Sequence, residues 1–180
     1  MDEEKELPEA IIRQGGSDSK VFAINRDMPD NMEWDILVNV SDDQIFTKSG
    51  FDQDIVKGFI ESDENGCTQY DLDLLLHFPD GYVNERLVTM SIMGRVYWQR
   101  FNYIYHPSYI SLWCDNEQME VAQRDGKYKY IDKHIFKHEH PANVPTVKVD
   151  DLLRRTQSFY TADHNTYKER KAANFPIETL

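Results

Sequence analysis

The chain has 180 residues, 40% of them hydrophobic and 12% aromatic, which is enough apolar surface for one folded domain and too much for a disordered chain. Its 20 Lys and Arg face 32 Asp and Glu, a formal net charge of −12, and that field opposes general binding to phosphate backbones or anionic lipid. Nucleic acid is therefore not expected as a partner, a protein with a basic surface is accommodated easily, and homo-oligomers are left open.

Cys67 and Cys114 are the only cysteines. No basic start followed by an apolar run reads as a signal peptide, and no stretch approaches the ~18 apolar residues of a membrane span. These features predict a soluble protein of a reducing, cytoplasmic compartment, in which the sequon Asn39-Val40-Ser41 is a chance match.

Residues 1–19 hold Asp2, Glu3, Glu4 and Glu6 and then Gly15-Gly16-Ser17-Asp18-Ser19, an acidic lead-in and flexible joint. Residues 20–145 read as an antiparallel β domain and 146–180 as a helical segment packed on it. Val21, Phe22 and Ile24 suggest a first short strand, stopped by Asp27 to Asp30 with Pro29 inside. Trp34 to Val40 is a second. Gln53 to Ile60 is ambiguous: Ile55, Val56, Phe59 and Ile60 have helical spacing and Ser49 to Asp52 can cap a helix, but Gly58 and the flanking strands tilt the reading to strand.

From Tyr70 to Phe136 the apolar period is two. Tyr70, Leu72, Leu74, Leu76 and Phe78 fall on one side of an extended chain and Asp71, Asp73 and His77 on the other, the alternation of a half-buried strand. Asn65-Gly66 and Asp80-Gly81 supply reversals. Leu87 to Trp98 follows as a long strand with Gly94 as a bulge or bend, and Phe101 to His106 continues the sheet until Pro107. Tyr109 to Cys114 and Met119 to Gln123 read as two strands around Asp115-Asn116-Glu117, and Tyr128 to Phe136 as the last. After Pro141 and Pro145 the spacing turns helical, over Asp150 to Tyr160 and again from a cap at Asp163 to about Ala173. The expected fold class is α+β, mostly β: an antiparallel meander sheet of about six to eight strands, as a sandwich or open barrel, with one or two C-terminal helices.

His134, His138 and His140 share parity, so a continuing strand points all three to one face. His138 and His140 are then about 6.8 Å apart at Cα, from a rise of ~3.4 Å per residue, a spacing that suits a divalent Zn, Mn or Ni ion. The same charged segment also protects a sheet edge. Asp71, Asp73 and His77 align oxygen ligands and an imidazole on one face, suited to a hard cation or to acid–base work. Glu61 to Gly66 opens like a calcium loop, but Leu72 stands at the twelfth position where a bidentate Glu is required, so a hairpin explains the glycine.

Between Tyr97 and Trp113 aromatic side chains crowd together with Arg95 and Arg100, a composition that stacks on sugars, bases or a partner's anchor residues. No Gly-x-Ser-x-Gly, phosphate loop or dinucleotide fingerprint occurs, and neither cysteine has a local basic setting. The expectation is a soluble, non-catalytic interaction module of inhibitor, immunity or adaptor type that presents Trp98, Tyr103, Tyr105, Trp113, Asp71 and Asp73 to a protein partner. The alternative is a metal-dependent enzyme or metal-binding β-domain that uses His134, His138 and His140. A third reading is a carbohydrate-binding sheet using Trp98, Tyr103, Tyr105 or Trp113.

Overall fold

A computed structural model describes residues 15–26, 33–62, 66–141, 143–144, 146 and 150–177. The acidic lead-in over 1–14, the stop at 27–30 and Asn65 of the first turn lie outside them. The first half of the chain gives α1 (Lys20–Arg26), β1 (Ile36–Asn39), β2 (Gln44–Phe46), α2 (Phe51–Gly58), β3 (Ile60–Ser62), β4 (Thr68–Tyr70) and β5 (Leu75–His77). The second gives β6 (Ser91–Gly94), α3 (Arg95–Gln99), α4 (Cys114–Arg124), β7 (Tyr128–Tyr130), β8 (Phe136–His138), α5 (Asp151–Ser158) and α6 (Tyr160–Ala172). The fold is α+β with mostly antiparallel pairing and two C-terminal helices, as expected. The mostly-β expectation is loose, since about 36% of the chain is helix and 18% strand.

The central sheet has the order β1-β6-β5-β7, antiparallel except for the parallel β5–β7 pair, so it is an open mixed sheet rather than a meander. Register places Leu37, Met93, Leu75 and Tyr128 in one row across the four strands, and Val38, Ile92, Leu76 and Lys129 in the next. Alternate residues face opposite sides. Leu75 and Met93 therefore enter a core with Tyr97, Tyr109, Val121 and Tyr167, while Leu76 and Ile92 enter another with Ile55, Phe59 and Phe136.

Leu72, Leu74, Leu76 and Phe78 do share one core, as their parity predicts. The opposite face is not solvated: His77 is 1% exposed beneath the other core. A central strand covered on both sides needs apolar residues in succession, which is why Leu74-Leu75-Leu76 and Ile92-Met93 occur without polar interruption. Tyr70 leaves this strand altogether and belongs to the two-stranded β3–β4 ribbon.

Gly94 ends β6 instead of bulging a longer strand. A Cβ there would lie 2.1 Å from the Leu72 carbonyl oxygen, which accepts from Tyr97 N at 3.0 Å. Only glycine allows the two segments to cross this closely, and the chain turns from there into α3.

Several expected strands are helices or loops. Residues 20–26 form α1, and 51–58 form α2, where Ile55 is buried and Gly58 sits in the last turn against Leu76 and Ile131. Residues 101–113 are loop, and 114–124 form α4, with Glu117 and Gln118 buried beside Cys114, Val121 and Ala122. Asp150 caps α5 by accepting from Leu153 N at 2.7 Å. Asp163, in contrast, lies inside α6 and caps nothing there. Among the described residues no helix is long and apolar enough to cross a membrane.

Candidate functional site

The histidine cluster is smaller than its parity suggests, because β8 covers only Phe136–His138 and His134 lies exposed in the link before it. His138 and His140 do approach, with ring centroids 5.6 Å apart. Both nitrogens of His138 face carboxylates: Nε2 is 3.2 Å from Asp43 Oδ2, and Nδ1 is 3.8 Å from Asp80 Oδ2, an ion-pair distance beyond hydrogen bonding. Asp80 is itself fixed, as Oδ1 accepts from the backbone N–H groups of Tyr82, Val83 and Asn84 at 2.8 to 2.9 Å.

Burial works against a charge on His138, but the carboxylates of Asp80 and Asp43 outweigh it and raise its pKa. Burial and then the neighbouring His138 charge lower that of His140. Burial also penalises the Asp80 and Asp43 charges, yet their hydrogen bonds and the imidazolium hold both below the ordinary carboxylate range. The arrangement sets His138 between two carboxylates that favour its charged form, beside a His140 whose charged form is disfavoured. Among the described residues no three His, Cys, Asp or Glu side chains gather into a group able to hold a metal ion.

The expected aromatic surface separates in the same way. Tyr103 and Tyr105 are buried, and the Tyr105 hydroxyl accepts from Ser91 Oγ at 3.2 Å. Both belong to the core rather than to an exposed face. Trp98 is half-buried edge-on against Trp34, their centroids 5.6 Å apart. Asp73 pairs with Arg100 and with Lys127 Nζ at 2.7 Å, the Arg100 guanidinium chief among the groups that lower its pKa. Asp71 accepts from Asp73 N at 2.9 Å, a local turn bond.

Trp113 alone of the expected rings joins a half-exposed cluster. It stacks on His164 at 4.3 Å and 19°, leans on Tyr167 at 5.0 Å and meets Tyr160, which is 51% exposed, at 5.6 Å. Its own backbone is left-handed, with φ 63°, a strained state for a bulky residue. Asp163 holds the loop in this path: buried in α6, it accepts from Ile110 N at 2.8 Å, Ser111 N at 2.9 Å and Leu112 N at 2.7 Å. Tyr160, His164 and Tyr167 are not among the expected site residues, although their spacing of four and three marks one face in a segment expected to be helical.

Other buried polar groups brace the fold. Arg170 donates to both oxygens of Glu117 through Nε at 3.1 and 2.8 Å, and Tyr109 OH donates to Glu117 at 2.7 Å. His77 Nδ1 meets Tyr128 OH at 2.6 Å. Burial pushes the Cys114 thiol well up, which makes it a poor nucleophile.

Charge is also distributed unevenly along the sequence. From Gly58 to Glu85 the sequence holds seven carboxylates, Glu61, Asp63, Glu64, Asp71, Asp73, Asp80 and Glu85, and no Lys or Arg. The β3–β4 ribbon lies in this stretch, its register pairing Ile60 with Tyr70, which is 61% exposed. Comparison with protein-family models, with curated proteins and with solved structures gives no match.

Proposed function

We propose that the protein is a non-catalytic interaction module, of inhibitor, immunity or adaptor type, that works in the cytoplasm and docks a protein of basic surface. The observation that carries this reading is Tyr70, exposed on the β3–β4 ribbon with Glu61 exposed and Asp71 half-buried nearby, in a sequence stretch from Gly58 to Glu85 that holds no Lys or Arg. Carboxylates there steer a basic partner and set its orientation, while a large exposed ring supplies the anchor that charge alone does not. Further support comes from the buried Glu117, Asp163 and Asp80, each occupied by fixed donors and so withheld from proton transfer. Neither Cys67 nor Cys114 is in a disulfide, and Cys114 is buried, which accords with a reducing compartment.

The test is affinity capture from the native host with the intact chain and with Tyr70→Ala and Glu61→Lys/Asp71→Lys variants. The proposal expects a captured protein whose retention falls steeply with salt and is lost in both variants. Equal capture by all three chains, or capture indifferent to salt, would refute it. The second reading, a site for a Zn, Mn or Ni ion, has only the approach of His138 and His140 behind it. Elemental analysis of protein purified without chelator decides that reading: less than one ion per several chains removes it.

A further inference from the structure

The central sheet ends at β1 on one side, and the docking proposed for the β3–β4 ribbon makes no use of this edge. Asp35 accepts from Arg95 N at 2.8 Å and register sets Ile36 opposite Gly94, so the ladder bonds of this antiparallel pair fall at Asp35, Leu37 and Asn39. Gly94 keeps the same phase on the neighbouring strand, because its N–H turns away from β1 and donates to the Leu74 oxygen at 3.1 Å. The N–H and C=O groups of Ile36 and Val38 therefore point outward from the sheet edge, and among the described residues none of them has a hydrogen-bond partner.

Sheet edges are commonly blunted by Lys, Pro or a bulge. The opposite edge, β7, has Lys129 at its centre, whereas Trp34 to Val40 holds no Lys, Arg or Pro. All four residues of β1 are half-buried, Leu37 against one core and Ile36 and Val38 against the other, so a strand laid beside β1 extends both cores. Charge decides what that strand is. Glu33, Asp35 and Asp42 are exposed and, among the described residues, belong to no ion pair, while the Arg95 guanidinium is turned to the Trp34 carbonyl oxygen at 3.4 Å and His138 faces Asp43. In a two-fold pair of copies centred on Val38, Trp34 meets Asp42 and Asp35 meets Ser41, which crowds unpaired carboxylates at both ends. A second copy is thus disfavoured and a strand with cationic ends is favoured. We infer that β1 takes up an extended segment of a protein partner as an added strand, apolar at its middle and carrying Lys or Arg at both ends.

The fluorescein-labelled peptide KKVIVKK, with EEVIVEE and KKGSGKK as controls, tests this on the full chain by anisotropy and amide hydrogen exchange. KKVIVKK binds, and the controls, which lack the cations or the apolar middle, bind at least about tenfold more weakly. In the free chain the Ile36 and Val38 amides exchange fast and those of Leu37 and Asn39, bonded to β6, slowly; bound KKVIVKK slows the first pair as well. Val38→Pro removes an outward N–H without touching the bonds to β6 and weakens KKVIVKK binding about tenfold, roughly the loss of one hydrogen bond. Asp35→Lys/Asp42→Lys weakens it at least as much, and stands in for the proline variant should that chain not fold. Absence of KKVIVKK binding, equal binding of KKGSGKK, retained affinity in the Asp35→Lys/Asp42→Lys chain, protection that appears on the β3–β4 ribbon in place of Ile36 and Val38, or self-association of the chain that Val38→Pro abolishes overturns the proposal.

Discussion

Replacing Asp163 with Asn tests the anchor beneath the 110–113 loop. The carboxylate is 1% exposed and accepts three backbone N–H bonds, one on Oδ1 from Ile110 and two on Oδ2 from Ser111 and Leu112. An Asn amide preserves the shape and keeps the Ile110 bond, but turns an NH2 group toward two donors. Bonds to a charged acceptor contribute ~1.5 to 3 kcal/mol each, so losing two costs ~3 to 6 kcal/mol before relaxation. Water reaching the half-buried Leu112 amide recovers part, which places the expected loss near ~3 to 4 kcal/mol. With a urea m-value of ~2 kcal/mol/M, the unfolding midpoint falls by about 1.5 to 2 M. Urea titration followed by tryptophan fluorescence measures the shift and reports Trp113 at the end of the same loop. A variant within about 1 kcal/mol of the parent, with an unchanged spectrum, would refute the account.

Further predictions follow from the buried charges and from Gly94. Glu117→Gln leaves Arg170 buried without its counter-charge and should lower stability by ~3 to 5 kcal/mol, while the apolar pair Glu117→Leu/Arg170→Met should recover much of that; denaturant titration of both chains decides it. His138 has a folded pKa raised above the ordinary histidine value of 6.5 by the Asp80 and Asp43 carboxylates, so its contribution is complete below pH 6.5 and disappears as pH climbs through the folded value. His138→Gln should flatten the stability profile above pH 6.5, and an unchanged slope in melting temperature against pH would count against this pairing. Gly94→Ala drives a methyl into the Leu72 backbone and endangers the Tyr97 N–H bond, a cost of ~3 kcal/mol or more from overpacking plus one lost bond; near-neutral unfolding would show that the crossing is looser than 2.1 Å implies.

How far the sequence could be read depended on which groups each element buries. The strand at Ile36–Asn39 and the C-terminal helices were legible from their apolar spacing, although the cap expected at Asp163 falls inside α6 and it is Asp150 that caps α5. α4 was not. Its inward face is built from Glu117 and Gln118, satisfied by Arg170, Tyr109 and the Ile104 carbonyl, so the polar side chains that look like a turn are its buried stripe. α2 was ambiguous for the opposite reason, since Gly58 is there to admit Leu76 and Ile131 rather than to break a helix. The rings of His138 and His140 do approach, but β8 spans only Phe136–His138, so strand parity extends to neither His140 nor His134. Tyr103 and Tyr105, which look like a presented stripe, fill a core that no periodic signal in a loop could announce.

A sheet greasy on both sides carries a particular hazard. When one face meets water, slipping a strand by a single residue exposes its apolar set and is forbidden; here the slip would merely trade Leu75 for Leu76 and Met93 for Ile92, at little hydrophobic penalty. Alignment must then be indexed by something other than oiliness. His77, the one imidazole inside β5, supplies such a mark through its bond to Tyr128, and the snug crossing at Gly94 supplies another at the far side of the neighbouring strand. Two small, chemically specific notches thus keep the strands from settling into a shifted pairing that the cores alone would tolerate.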